Sequence, residues 1–158
     1  MKIHIVGLIL VLVVIFSAAG IAFGCSCRTP AGMSDRALVE SAETYAHDVF
    51  VGRVLKIVKA RGRQGHSIGG YYAVFRVSEM RKGTKGTNRI RIFFTLQCCL
   101  CELSFDKGKE YLVYADGDDD TSLTASTCGR TREIHDSQVQ IDREYLGAPN
   151  PPFLNKQL

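Results

Sequence analysis

The sequence predicts a mainly β fold: a small five-stranded barrel, closed or partly open, of the oligonucleotide/oligosaccharide-binding type, with two flanking helices. Three observations predict it. Five short β-branched or alternating segments lie between residues 49 and 126, separated by turn-forming Gly and Asp residues. A helical pattern precedes them and another follows. The 158 residues, 46% hydrophobic and 23% charged, suit one globular domain and rule out disorder along the whole chain. A sandwich fits the same strands, because periodicity alone does not separate the two architectures.

Each element has a local reason. Ser34 can cap a helix from Asp35 to Tyr45, with Ala37, Leu38, Ser41, Ala42 and Tyr45 on one face. Val49 to Val58 is rich in β-branched residues and reads as the first strand, with Gly52 marking a bulge. Lys59 to Gly70 is a Gly-rich basic loop. Tyr71 to Met80 alternates, placing Ala73, Phe75 and Val77 on one face. Lys82 to Gly86 is a turn, and Ile90, Ile92 and Phe94 share a face of the third strand. Phe105 to Gly108 turns into a fourth strand, Glu110 to Ala115. After an acidic turn, Asp116 to Asp120, Leu123 to Ser126 makes a short fifth strand. Asp136 to Leu146 has helical spacing, and Gly147 ends it. Residues 148–158 form a Pro-rich tail containing Pro149, Pro151 and Pro152.

The first 24 residues read as a targeting segment. Lys2 precedes an apolar run from Ile5 to Phe16 that only Gly7 interrupts. Ala22 and Gly24 then place small residues three and one positions before Cys25. This is the pattern of a cleavable secretory signal over residues 1–24, giving a secreted, extracellular chain that starts at Cys25 and has no membrane attachment after cleavage. The competing readings are an uncleaved anchor and a lipoprotein acylated at Cys25, which Ala22 and Phe23 fit poorly.

Secretion gives the cysteines a meaning. Cys25, Cys27, Cys98, Cys99, Cys101 and Cys128 make an even set, expected to form disulfides in an oxidising compartment. Six cysteines allow 15 full pairings, and spacing does not choose among them. A zinc site is the other reading, but such sites usually show wider paired spacings. His47, His66 and His135 lack a metal-binding spacing. With no Ser/His/Asp order, phosphate loop or zinc motif, enzymatic activity is not expected.

Charge is unevenly spread. Residues 53 to 91 hold eleven Lys or Arg and one acidic residue, Glu79. Residues 102 to 144 hold eleven acidic residues and five basic ones. Solvated strand faces account for such a distribution; its functional reading is a surface for sulfated glycans, with Lys56, Lys59, Arg61 and Arg63 as the candidate residues. Nucleic acid suits the barrel type, but a secretory signal argues against it.

An ordered set of residues resembles a known family. The start Cys25-Ser26-Cys27 looks like that of the tissue inhibitors of metalloproteinases. Asp48 to Val54 resembles their first strand, and Tyr71 to Val77 with Met80-Arg81-Lys82-Gly83 resembles the second strand and its Lys-Gly turn. Cys101, Phe105, Gly108 and Tyr111 to Ala115 resemble the family's cysteine and fourth strand, and Thr127-Cys128 the cysteine that closes the fifth. The likeness spans residues 25–147, which it makes a netrin-like inhibitor domain. It departs in lacking a cysteine near Tyr45 or Ala46, in lacking the cysteine-rich C-terminal domain of vertebrate members, and in the extra Cys98 and Cys99.

The resemblance implies a mechanism. The free amine and carbonyl of Cys25 would chelate the zinc of a target metalloproteinase, which keeps a coordination position open for water. Ser26 would enter the primary specificity pocket, and Cys27, Arg28, Cys99 and Leu100 would share the contact surface. The implied disulfides are Cys25–Cys101 and Cys27–Cys128, which would hold the wedge rigid. The implied partners are zinc metalloproteinases, and zinc would be shared with the target, the chain having no cofactor of its own. The alternative is a netrin-like matrix- or glycan-binding module without inhibitory activity, since fold likeness alone does not transfer function.

Overall fold

The structure, a computed structural model, describes residues 32–60, 70–83, 88–94, 103–117, 123–126 and 129–149. Its elements are α1 (Asp35–Tyr45), β1 (Asp48–Lys59), β2 (Tyr71–Lys82), β3 (Arg89–Phe94), β4 (Glu110–Ala115), β5 (Arg132–Glu133) and α2 (Ser137–Tyr145). The strands form one antiparallel sheet in the order β3-β2-β1-β4-β5. The protein is therefore mainly β with two helices, and strand pairing leaves the sheet open.

The sequence pattern explains most of this. Ser34 caps α1 by accepting a hydrogen bond from the Ala37 amide, and Asp136 caps α2 through the Gln138 amide. Gly147, at φ +70°, follows α2 in the left-handed region that glycine favours. The β1–β2 register shifts between Val51 and Gly52, as expected of a bulge. A Cβ at Gly52 would stand 3.0 Å from the Arg76 carbonyl oxygen, so a side chain there would push the two strands apart by a few tenths of an ångström.

Two expectations are corrected. The buried face of α1 carries Val39, with Ala42 and the adjoining Ala46 packed among Val49, Val51, Leu112 and Tyr114, and Tyr45 is 82% exposed. Packing under α2 selects this stripe over the neighbouring one that includes Tyr45. The fifth strand, expected at Leu123–Ser126, is instead Arg132–Glu133, which pairs with Tyr111 and Leu112 of β4. Residues 123–126 contribute isolated bridges: Thr124 pairs with Phe93 in parallel and with Asp116 in antiparallel fashion. The Phe93 amide donates to the Leu123 carbonyl, and Asp116 and Thr124 exchange two backbone hydrogen bonds. This segment thus touches the end of β3 and the end of β4 at once.

The sheet separates two apolar clusters. On one side lie Phe50, Val54, Phe75, Ile92, Tyr111 and Leu123, with Phe105 inserted edge-on between Phe75, Phe94 and Tyr111 at centroid distances of 5.1–5.3 Å. On the other, α1 and α2 cover Val49, Val51, Leu112 and Tyr114. β4 is buried on both faces, which accounts for its unbroken apolar run from Tyr111 to Ala115.

Charged side chains fasten both helices. Lys82 Nζ donates to the carbonyls of Glu43 (2.7 Å) and Thr44 (3.1 Å), completing an α1 C-terminus that has no basic residue of its own in the last turn. Arg81 donates to the Gly147 carbonyl beyond α2 and to Glu79. Glu79 also pairs with Arg143 of α2. Next to Lys82, Gly83 lies at φ +114°, and a Cβ there would fall on the buried Asp48 carboxylate. The Lys82-Gly83 pair thus has a mechanical reason.

Candidate functional site

The sequence offers two candidate sites, and the described residues bear on them unequally. Cys25, Ser26, Cys27, Arg28, Cys99 and Leu100 lie outside the described residues, as do Cys101, Cys128, Arg61, Arg63 and residues 1–24. What is described is the frame around them. Phe94 precedes the segment bearing Cys98, Cys99 and Cys101, Leu103 follows it, and Ala125 precedes Cys128. Phe94 belongs to the first apolar cluster, and Leu103 and Ala125 pack against it.

Of the basic quartet, Lys56 and Lys59 are described, and both are exposed. The structure does not bring them together. Lys56 is in register with Val74, and Lys59 with Tyr71. Alternation along β1 therefore sends them to opposite faces of the sheet.

Lys56 instead joins a set of cations drawn from three strands. Arg53 of β1 stands opposite Arg76 of β2, which stands opposite Arg89 of β3. The next row on this face is Lys56, Val74 and Arg91, and the third is Val58, Tyr72 and Phe93. Arg53, Lys56, Arg76, Arg89 and Arg91 are all exposed. The intervening residues Val54, Phe75 and Ile90 point the other way, into the first cluster. The helices pack over Val49, Val51, Leu112 and Tyr114, at the other end of β1, and leave these cations open.

Among the described residues, no carboxylate forms an ion pair with Arg53, Lys56 or Arg76. The nearest acid in register is Glu110, opposite Arg53 at the β4 edge, where it accepts a hydrogen bond from the Ser78 hydroxyl (3.1 Å). The Arg91 guanidinium lies 5.6 Å from the centroid of the Tyr72 ring, and the Phe93 ring meets Tyr72 edge-on at 5.4 Å. Sequence reasoning counted these arginines but placed the site in the following loop. The available signal was their alternation with buried residues: Arg76 between Phe75 and Val77, and Arg89 and Arg91 around Ile90.

A second polar cluster is buried beneath α2. Tyr114 Oη donates to Asp142 Oδ2 at 3.0 Å, and Arg130 Nε lies 3.1 Å from each Asp142 oxygen. The Thr131 hydroxyl accepts from the Tyr114 amide and donates to its carbonyl, acting as a strand rung beside β4. Burial, followed by the Asp142 charge, pushes the Tyr114 phenol far above its ordinary range. The hydrogen bond to Asp142 raises Arg130 further above its already high value. Every group here is satisfied within the cluster, and its role is to hold α2 on the sheet.

Among the described residues, no group of His, Cys, Asp and Glu could hold a metal ion, and no helix is long and apolar enough to cross a membrane. Compared with protein-family models and with curated proteins, the sequence matches none.

Proposed function

We propose that this chain is a secreted, single-domain inhibitor of zinc metalloproteinases, built on an OB-like, netrin-type frame. The observation that carries the reading is the segment Leu123–Thr124, hydrogen-bonded in parallel to β3 and in antiparallel to β4. In an open sheet ordered β3-β2-β1-β4, a segment bridging the two distant strands is the connection that an OB-like barrel requires. Further support comes from the resemblance of Cys25-Ser26-Cys27 and the ordered strand residues, and from the packing of Phe94, Leu103 and Ala125, which flank the cysteine-bearing segments, at one core.

The proposed chemistry uses the new N-terminus left by signal cleavage. Its α-amine titrates near ~7.7–8.0, so the proton it must release to bind zinc at neutral pH costs only about 1 kcal/mol to remove. The Cys25 carbonyl completes a five-membered chelate and displaces the enzyme's water. Ser26, small and polar, enters the specificity pocket without filling it. Disulfides Cys25–Cys101 and Cys27–Cys128 limit the ordering cost on binding.

The test is to purify the secreted protein, sequence its N-terminus, and assay it against a panel of zinc metalloproteinases beside a form with one Ala added before Cys25. The expected result is inhibition by the chain starting at Cys25 and its loss in the extended form, whose amide nitrogen is a poor zinc ligand. A protein that begins at Cys25 and inhibits nothing refutes the reading. Equal inhibition by both forms refutes the chelation step.

A further inference from the structure

We propose that Arg130 is a positioning residue for the inhibitory N-terminus, which it holds through Cys128 from the buried carboxylate of Asp142. The inference rests on the inhibitor reading and on the Cys27–Cys128 disulfide that the family resemblance implies.

The backbone at Arg130 is unusual. Its φ is +62°, and among the described residues it is the one non-glycine in the left-handed region. That conformation is costly for a residue with a Cβ and persists where the surroundings over-determine it. Here they do. Arg130 Nε lies 3.1 Å from each Asp142 oxygen, and its Nη2 donates to the same carboxylate. Asp142 is 2% exposed and accepts the Tyr114 hydroxyl as well. The next residue, Thr131, is buried and exchanges two hydrogen bonds with the Tyr114 backbone. Arg130 is thus the first residue after Cys128 whose side chain is anchored on the core.

The approach to Cys128 is fixed too. Thr124 exchanges two backbone hydrogen bonds with Asp116, and the Gly129 amide donates to the Ser126 carbonyl at 2.9 Å. Positions 126 and 129 are therefore tied together, with only Thr127 and Cys128 between them. A cysteine between two such points is a stiff attachment for its disulfide partner. Through Cys27 that stiffness reaches the residue two positions from the chelating amine, where it lowers the ordering cost of binding.

Stability alone does not account for this arrangement. A buried ion pair can often be replaced by apolar side chains without loss of stability, and glycine at position 130 would relieve the backbone. Two unfavourable choices converge on one residue, two positions from Cys128. What they provide is a fixed geometry. The guanidinium fork favours one orientation on a carboxylate, and that orientation holds the chain in its left-handed turn.

The experiment uses the full secreted chain and three variants. Arg130→Gly accepts the backbone but removes the anchor, and Arg130→Lys keeps the charge without the fork. Val39→Ala, at a buried position in α1 outside the cluster, controls for lost stability. Amide hydrogen exchange at Cys27 and Cys128, followed by NMR, reads the hold, and inhibition of a zinc metalloproteinase reads its use. In Arg130→Gly both amides should exchange about tenfold faster and inhibition should weaken about tenfold. Arg130→Lys should fall between this variant and the parent, and Val39→Ala should match the parent in both. Melting temperatures keep every assay within folded protein, and Arg130→Lys decides by the same readings if Arg130→Gly does not fold. Unchanged exchange at Cys27 in a folded variant overturns the proposal. So does inhibition equal to that of an active parent, or an equal loss in Val39→Ala. A parent that begins at Cys25 and inhibits nothing, while both amides still exchange faster in Arg130→Gly, refutes the inhibitor reading and supports the hold on the N-terminus.

Discussion

Asp142 is the residue whose removal best tests the internal architecture. It is 2% exposed, accepts the Tyr114 hydroxyl at 3.0 Å and lies 3.1 Å from Arg130 Nε through each oxygen. Asp142→Ala would leave a buried phenol without an acceptor and a guanidinium with 17% exposure facing a void. Removing one partner of a buried pair costs about 3–5 kcal/mol, because the other charge remains desolvated and uncompensated. Tyr114→Phe keeps the ring in the core and removes one hydrogen bond to a charged acceptor, at about 1.5–3 kcal/mol. In the Asp142→Ala background the same change should cost about nothing, since no acceptor remains. The two variants are then coupled by roughly 1.5–3 kcal/mol. Equilibrium urea unfolding at pH 7, followed by far-UV circular dichroism because the chain has no Trp, measures all four corners of the cycle. An Asp142→Ala cost below about 1 kcal/mol would refute the reasoning. So would a Tyr114→Phe cost that is the same in both backgrounds.

Two further outcomes follow from the packing. Gly83→Ala meets both a left-handed backbone and the Asp48 carboxylate, and should destabilise by about 1–3 kcal/mol and shift the amide resonances of Asp48 and Lys82; a neutral effect in a thermal melt would contradict the described β2 end. At high pH the sign is set by Tyr114, whose phenol stays neutral in the folded chain while its unfolded counterpart ionises near 10. Its contribution is therefore fully present below about pH 10 and is lost as pH rises, at up to about 1.4 kcal/mol per pH unit. Urea titrations from pH 9 to 11.5 should show this slope, smaller in Tyr114→Phe; an unchanged slope would show that the phenol is not held neutral.

Local chemistry, legible in the residues themselves, determines the helix cap at Ser34, the helix end at Gly147, the Gly52 bulge, the strand at Arg89–Phe94 and the turn into Glu110–Ala115. Each depends on neighbours a few positions away or on a simple alternation of faces. The sequence also carries the cysteine pattern and the surplus of arginine and lysine. It does not carry the pairing of distant strands. Residues 123–126 read as a strand by composition, yet only Leu123 and Thr124 reach β3 and β4, while Arg132–Glu133 takes the ladder position because Thr131 holds the chain against Tyr114. Tyr45 fits a helical apolar stripe, but α2 covers the stripe beside it. The opposition of Arg53, Arg76 and Arg89 depends on two registers and a bulge, and no local rule links residues 23 and 13 positions apart. Periodicity assigns a residue to a face; only the tertiary fold decides which faces become neighbours, and so which charges stand side by side.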